Sequence, residues 1–88
     1  MIIAAQIRGA RGLLGMSQTK LSELASISAA TVKRVEAGTQ IRGSADTLRR
    51  IQVALEVAGV EFIPADATTG PGVCLKQGKA IGARRKRT

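Results

Sequence analysis

The chain has 88 residues, a formal net charge of +8 at pH 7, no Trp or Tyr, and a single Phe. This length indicates one small domain with an aliphatic core, and the near absence of aromatic residues argues against a stacking platform for single-stranded nucleic acid. The lone Cys74 excludes an internal disulfide framework and a cysteine-based zinc site, and no apolar run approaches the ~20 residues needed to cross a bilayer.

The charges are distributed unevenly along the chain. Residues 1–50 carry a net charge of +5, residues 51–75 carry −3, and residues 76–88 carry +6. Two basic segments around an acidic one indicate one surface for a polyanion and a second surface for a different partner. The alternative is that the charges serve only solubility.

Hydrophobic periodicity and capping residues predict the elements in chain order. The first helix covers 4–14, where Ile3, Ile7, Ala10 and Leu14 recur at helical spacing, so the N-terminal residues are interpreted as helix and not as a signal peptide. The remaining predicted elements are helices at 18–25, 29–37 and 45–58, a strand at 60–63, a loop at 64–72 and a strand at 73–76.

The second and third helices are predicted to be joined by a tight turn. Ser17 and Ser28 are good N-caps, because a serine hydroxyl accepts a hydrogen bond from the free N–H groups of a first helical turn. Ile27 is expected to be buried in the turn, and Val32 and Val35 are expected to point inward from the third helix. Gly38 is expected to end that helix, since glycine adopts the left-handed conformation at little cost.

The fourth helix and the segments after it are predicted to complete the fold. Ser44 is the expected N-cap, and an apolar stripe is formed by Leu48, Ile51, Leu55 and Ala58. The two strands predict a hairpin, which is marginal by itself in water and therefore needs cover from the fourth helix or from a second subunit. Cys74 is interpreted as a small apolar residue of the second strand.

The inward valines of the third helix leave four residues facing outward: Ala29, Ala30, Lys33 and Arg34. Small residues at the start of a helix, followed one turn later by long basic ones, suit insertion into a DNA major groove about 12 Å wide. The alternative for the two cations is a solvated helix face.

The joint pattern over about residues 3–60 resembles the phage-repressor/Cro-like regulators, also called the xenobiotic-response-element family. This sequence departs from the family pattern at Ser22, where Ala is usual, and at Ser26, where Gly is usual and where a left-handed turn costs a serine about 1 kcal/mol. The matching residues are Arg11, Leu14–Gln18, Leu21, Leu24, Ala25, Ile27, Ser28, Thr31, Val32, Val35, Glu36, Gly38, Ser44, Thr47 and Leu48.

The resemblance implies a mainly α fold with a four- to five-helix repressor-like helix-turn-helix domain at 1–59. The residue pattern after it predicts a C-terminal β-hairpin at 60–76 and a disordered basic tail at 77–88. It also implies an ion pair between Arg11 and Glu36 that joins the first helix to the third, the alternative being two independent surface charges.

The resemblance further implies the roles of the residues that would contact DNA. Ser28, Ala29, Ala30, Lys33 and Arg34 would face base edges. Phosphates and the backbone would be contacted by Gln18, Thr31, Thr39, Gln40 and Arg42. For Gln18 the alternative is capping of the second helix. The tail cluster Arg84–Arg87 is either an arm that touches phosphate or the minor groove or a solubilising end.

The expected function is a sequence-specific regulator that binds a double-stranded DNA operator with inverted repeats as a homodimer, with autoregulation. We expect no cofactor, no metal, no catalysis, no membrane contact, and a cytoplasmic location on the nucleoid. The predicted dimer interface lies in the segment that lacks Lys and Arg, with Phe62 and Val60 near its centre; its residues are Val57, Val60, Phe62, Ile63, Val73 and Leu75.

The alternative function is an antitoxin or antiactivator. Such a protein would mainly bind a partner protein through the acidic, apolar segment 51–75, and its DNA binding would serve autoregulation.

Overall fold

The computed structural model describes residues 2–38 and 44–76, and it consists of four helices followed by one antiparallel hairpin. The elements are α1 (Ala4–Leu14), α2 (Gln18–Ala25), α3 (Ala29–Glu36), α4 (Ser44–Ala58), β1 (Val60–Ile63) and β2 (Gly72–Leu75). The mainly α fold with a C-terminal hairpin is confirmed. Of the predicted boundaries, α3 ends one residue earlier, α4 begins one residue earlier at Ser44, which was expected to precede it as the N-cap, and β2 lies one residue earlier at both ends.

Helix α1 lies at the centre of the packing and contacts α3, α4 and both strands. Ile7 and Ala10 are fully buried on it. Ile3 was expected on the same buried stripe, but it is exposed and Ile2 is buried instead, because Ile3 is the N-cap and its extended backbone lies outside the helical period.

The core is aliphatic, as the composition requires. Its fully buried large side chains are Ile7, Leu21, Val32, Ile51, Leu55 and Val60. Leu24 of α2 is 46% exposed, whereas Ala54 of α4, which is not on the predicted apolar stripe, is buried. Ile27 packs against the core from the turn between α2 and α3.

The hairpin pairs Val60 with Leu75 and Phe62 with Val73. Its loop is organised by Asp66, whose carboxylate accepts hydrogen bonds from the backbone N–H groups of Thr68 and Thr69 at 2.9 and 2.7 Å. These donors stabilise the charged form and hold the pKa of Asp66 below its ordinary value.

Candidate nucleic-acid interface

Helices α2 and α3 form a helix-turn-helix at the predicted position. Ser17 caps α2 by accepting from the Lys20 N–H at 2.9 Å. The turn begins at Ser26, which has a left-handed backbone with φ 59°, and the next N–H, that of Ile27, donates to the Ser22 carbonyl at 3.0 Å. Both departures from the family pattern are accommodated, since the buried Ser22 donates its hydroxyl to the Thr19 carbonyl at 2.6 Å.

The underside of α3 is fixed by two valines. Val32 has no exposed surface and Val35 is 7% exposed, which confirms that they point inward. The opposite side is open, because Ala30, Lys33 and Arg34 are all exposed. Within the described residues neither cation takes part in a salt bridge.

The start of α3 is organised by hydroxyl groups. Ser28 Oγ accepts from the Thr31 N–H at 3.1 Å, and the two hydroxyls are 2.8 Å apart. Ser28 is exposed and Thr31 half-buried. Their cap sets the direction in which α3 leaves the turn, and the half-buried Ala29 follows directly.

Glu36, which is buried at the end of α3, is the centre of a partly buried polar network. Arg11 donates from Nε to Oε2 at 2.6 Å and from its terminal nitrogen to Oε1 at 2.8 Å. Arg11 also donates to the Met16 carbonyl, and Arg8 donates to the Glu36 carbonyl. The predicted ion pair between α1 and α3 is confirmed, with a bidentate geometry that fixes the orientation of the two helices.

The electrostatics of Glu36 are the result of two opposing effects. Burial raises the pKa of its carboxyl group. The hydrogen bonds from Arg11 and Gln18 and the positive charges of Arg11 and Arg8 lower that pKa by more than burial raises it, so the pKa lies below its ordinary value. In return, the hydrogen bond to Glu36 raises the pKa of Arg11. The pair is therefore charged at neutral pH.

Gln18 also belongs to this network. Its side-chain amide donates to Glu36 Oε1 at 3.0 Å, so that the beginning of α2 is tied to the end of α3. Capping of α2, the alternative for this residue, is performed by Ser17. One amide proton of Gln18 is used in the network, and contact of this half-buried side chain with phosphate stays a prediction.

Some predicted contacts lie outside the described residues. They are Thr39, Gln40 and Arg42 in the segment between α3 and α4, and the cluster Arg84–Arg87 in the tail. Their roles stay predictions.

Part of the predicted dimer interface faces the chain's own core. Val60, placed near the centre of that interface, has no exposed surface, and Phe62 and Val73 pack against the core of the same chain. Val60 therefore has no surface to offer a second copy, because α1 and α4 cover the hairpin; cover from the fourth helix is the alternative that the structure shows, and a dimer interface in this segment stays a prediction. Exposed surface remains at Val57, Ile63 and Leu75.

Two residues of α1 that position the hairpin were missed. Gln6 is buried; its amide donates to the carbonyls of Gly72 and Ile63 at 2.8 and 3.3 Å, and its oxygen accepts from the Ile3 N–H at 2.9 Å. A side chain on Gly9 would approach Val73 Cγ1 to 3.2 Å. The sequence contains one signal for Gln6: it is a polar residue that lies at helical spacing between the apolar Ile2 and Ala10, which indicates a buried polar contact.

The comparisons with known proteins agree with this geometry. The model of the family described as "Helix-turn-helix domain" matches residues 2–62, and no curated protein matches the chain. Across the two described ranges, every helix is too short or too polar to cross a membrane. A helix-turn-helix whose second helix presents an open face is typical of DNA-binding regulators. From the match over more than half of its length, the chain belongs to the helix-turn-helix domain family.

Proposed function

We propose that this protein is a sequence-specific regulator of transcription, of the phage-repressor/Cro-like type, which inserts α3 into the major groove of operator DNA. The observation that carries the proposal is the open face of α3. Ala30, Lys33 and Arg34 are exposed there on a helix that is held from behind by two valines and by the Glu36 network.

The chemistry of that face suits base edges. Arg34 and Lys33 can donate to guanine O6 and N7, and the methyl groups of Ala29 and Ala30 can pack on thymine methyl groups. Contacts to the DNA backbone would set the register of the helix without reading sequence. The residues proposed to make them are Gln18, Thr31, Thr39, Gln40 and Arg42.

The proposed active form is a homodimer on inverted repeats. One short helix contacts only a few bases, and two-fold related copies place two such helices in successive major grooves about 34 Å apart. Binding to a site near its own gene would make the protein autoregulatory, most simply as a repressor.

The test is binding to DNA from the region upstream of its own gene, first by protection mapping and then by fluorescence anisotropy on the protected site. Replacing Lys33 and Arg34 together by Ala should abolish specific binding, because each lost bidentate contact costs about 1–3 kcal/mol. The single variant Arg34→Ala is measured as well, and Lys76→Ala is its charge-matched control, since it removes one exposed cation from the far end of the hairpin. Unchanged operator affinity in the double variant, with an unchanged circular dichroism spectrum, would contradict the proposal.

Salt dependence gives a second measurement on the same site. If about 6–10 phosphates are contacted per dimer, affinity should fall by a factor on the order of 10³–10⁵ between about 50 and about 200 mM salt. Deletion of residues 77–88 then tests the tail: a shallower salt slope indicates phosphate contacts from the tail, and an equal slope assigns it to solubility.

The antitoxin or antiactivator alternative stays a prediction of the sequence. It requires a protein ligand, and its clearest sign is a co-transcribed neighbouring gene that encodes a small toxic enzyme. A divergent neighbour with an inverted repeat between the two genes favours the operator-binding regulator.

A further inference from the structure

An apolar groove runs between α2 and α4, on the outside of the molecule. Its volume is about 450 Å³. Leu24 of α2 and Val53 and Val57 of α4 form its sides, three alanines line it between them, and Arg49 and Arg50 border it.

The side chains of this groove are unusually exposed for their type. Val57 is 82% exposed, Val53 is 51% exposed and Leu24 is 46% exposed. Single exposed apolar residues are ordinary, but a contiguous apolar surface bordered by charge is typical of an interaction site.

The charges around the groove select its occupant. Arg50 is paired with Asp46 of the same helix at 2.9 Å, so Arg49, which takes part in no salt bridge within the described residues, is the charge that selects the occupant. Its guanidinium repels the basic tail and any other cationic segment and attracts a carboxylate. The favoured partner is therefore an apolar helix that carries an acidic residue at a matching height.

Helix α4 itself has that pattern. Arg49 and Glu56 are seven residues apart, which is close to two helical turns, so they lie on nearly the same side of α4 with Val53 between them in height. When two copies of α4 run antiparallel past Val53, each Arg49 lies beside Glu56 of the other copy. A parallel arrangement would place Arg49 beside Arg49.

We propose that the groove face of α4, centred on Val53, binds the same face of a second copy of this chain about a two-fold axis. The inference rests on the proposed homodimeric function and assigns its interface. It keeps Val57 from the predicted interface and replaces the buried Val60 by Val53 and Leu24. Helix α3 packs against α1 and α2, so this interface leaves its DNA-facing side open.

The interface is small. One pair of helices buries less than the ~800 Å² per partner of a standard stable complex. We therefore expect a weak dimer in solution, which two adjacent half-sites on DNA strengthen because both copies are held together.

The test uses the full chain in sedimentation velocity over a wide range of loading concentrations. Near a two-fold axis a residue lies beside its own copy, so Val53→Glu and Val53→Lys should each be monomeric by self-repulsion. An equimolar mixture of the two should restore the dimer, because Glu then lies beside Lys. Ile63→Glu, on the exposed edge of the hairpin, is the control and should dimerise like the wild type.

A charge exchange tests the antiparallel arrangement. Arg49→Glu and Glu56→Arg should each weaken the dimer at least tenfold, and the double variant should recover most of the loss. A wild type that is monomeric at every concentration, a mixture of the Val53 variants that stays monomeric, or an Ile63→Glu variant that alone dissociates would each overturn the proposal. Failure of this proposal can be distinguished from failure of the proposed function. The affinity of Arg34→Ala for a single half-site tests the base contacts and does not require a dimer, whereas the sedimentation experiments test the dimer without DNA.

Discussion

Helix α1 holds two regions of the molecule by different chemistry. On one side, Arg8 and Arg11 bind the end of α3 through Glu36, in a network of charged hydrogen bonds. On the other side, the neutral amide of Gln6 binds the backbone of both strands of the hairpin. Helix α1 thus holds the region proposed to read DNA by charged hydrogen bonds, and it holds the region that completes the core by neutral ones.

The difference has consequences for how each region responds to its surroundings. A buried ion pair depends on both partners, because removal of one leaves the other charge without compensation. An amide that bonds backbone carbonyls contributes less and is insensitive to pH. Disruption of the first contact should therefore cost more than disruption of the second.

The largest expected effect follows from Glu36→Ala. This change leaves Arg11 without its carboxylate and frees Gln18 from the end of α3, so the free energy of unfolding should fall by about 3–5 kcal/mol. Urea denaturation followed by circular dichroism measures it. Glu23→Ala removes an exposed carboxylate from α2 and is the matched control, which should change the stability by less than about 0.5 kcal/mol. Equal stabilities of the two variants would show that the network does not fix α3.

Gln6→Leu should have the next largest effect. The leucine fills similar space but leaves the carbonyls of Ile63 and Gly72 and the Ile3 N–H without their partner, which should cost about 1–3 kcal/mol. Gln52→Leu is the control, since the half-buried Gln52 bonds the Glu56 carboxylate of its own helix and no group of the hairpin within the described residues. If both glutamine variants lose the same stability, the hairpin is held by packing alone.

The two regions also differ in how far the sequence could predict them. The helix-turn-helix follows from local signals: serine caps, valine spacing, and a resemblance that includes Arg11 and Glu36. The left-handed turn at Ser26 was expected for the same reason. These signals are read within a few residues, or within one known pattern, and they identified the bounds of α1 and α2 correctly.

The position of the hairpin could not be read in this way. Gln6 contacts Ile63 and Gly72 at sequence separations of 57 and 66 residues, and nothing local indicates which side of a two-stranded hairpin will be covered. The sequence therefore leaves open whether the fourth helix or a second subunit covers the hairpin, and in the structure α1 and α4 of the same chain cover Val60, Phe62 and Val73.

Acidification should weaken the contact of Glu36 and leave the contact of Gln6 unchanged. The pKa of Glu36 is lower in the folded protein than in the unfolded chain, because its hydrogen bonds and nearby cations outweigh burial. Its contribution to stability is therefore present above the ordinary pKa of about 4.3 and is lost as the pH falls through the folded pKa. The free energy of unfolding, measured from about pH 7 to about pH 3, should fall less steeply in Glu36→Gln than in the wild type.

In the same titration Gln6→Leu should run parallel to the wild type, since an amide does not ionise in this range. Asp66 keeps part of the slope in every variant, because its pKa is lowered by the N–H groups of Thr68 and Thr69. A Glu36→Gln curve parallel to the wild type would assign the whole acid sensitivity to other carboxylates.

The smallest expected change in stability comes from the turn between α2 and α3, which differs from the loop of the hairpin in its backbone conformation. The hairpin loop is relaxed by the hydrogen bonds of Asp66, whereas the turn between α2 and α3 holds Ser26 at φ 59°, where a Cβ atom costs about 1 kcal/mol. Ser26→Gly should remove that cost and, after the greater backbone entropy that glycine loses on folding, should raise the stability by at most about 1 kcal/mol. For a domain of this size such a gain raises Tm by at most about 4–8 °C.

Ser26→Ala is the matched control, because it keeps the Cβ atom and should leave Tm unchanged. A glycine variant that melts no higher than the alanine variant would show that the serine turn is not strained, and that the helix-turn-helix tolerates this departure at no cost.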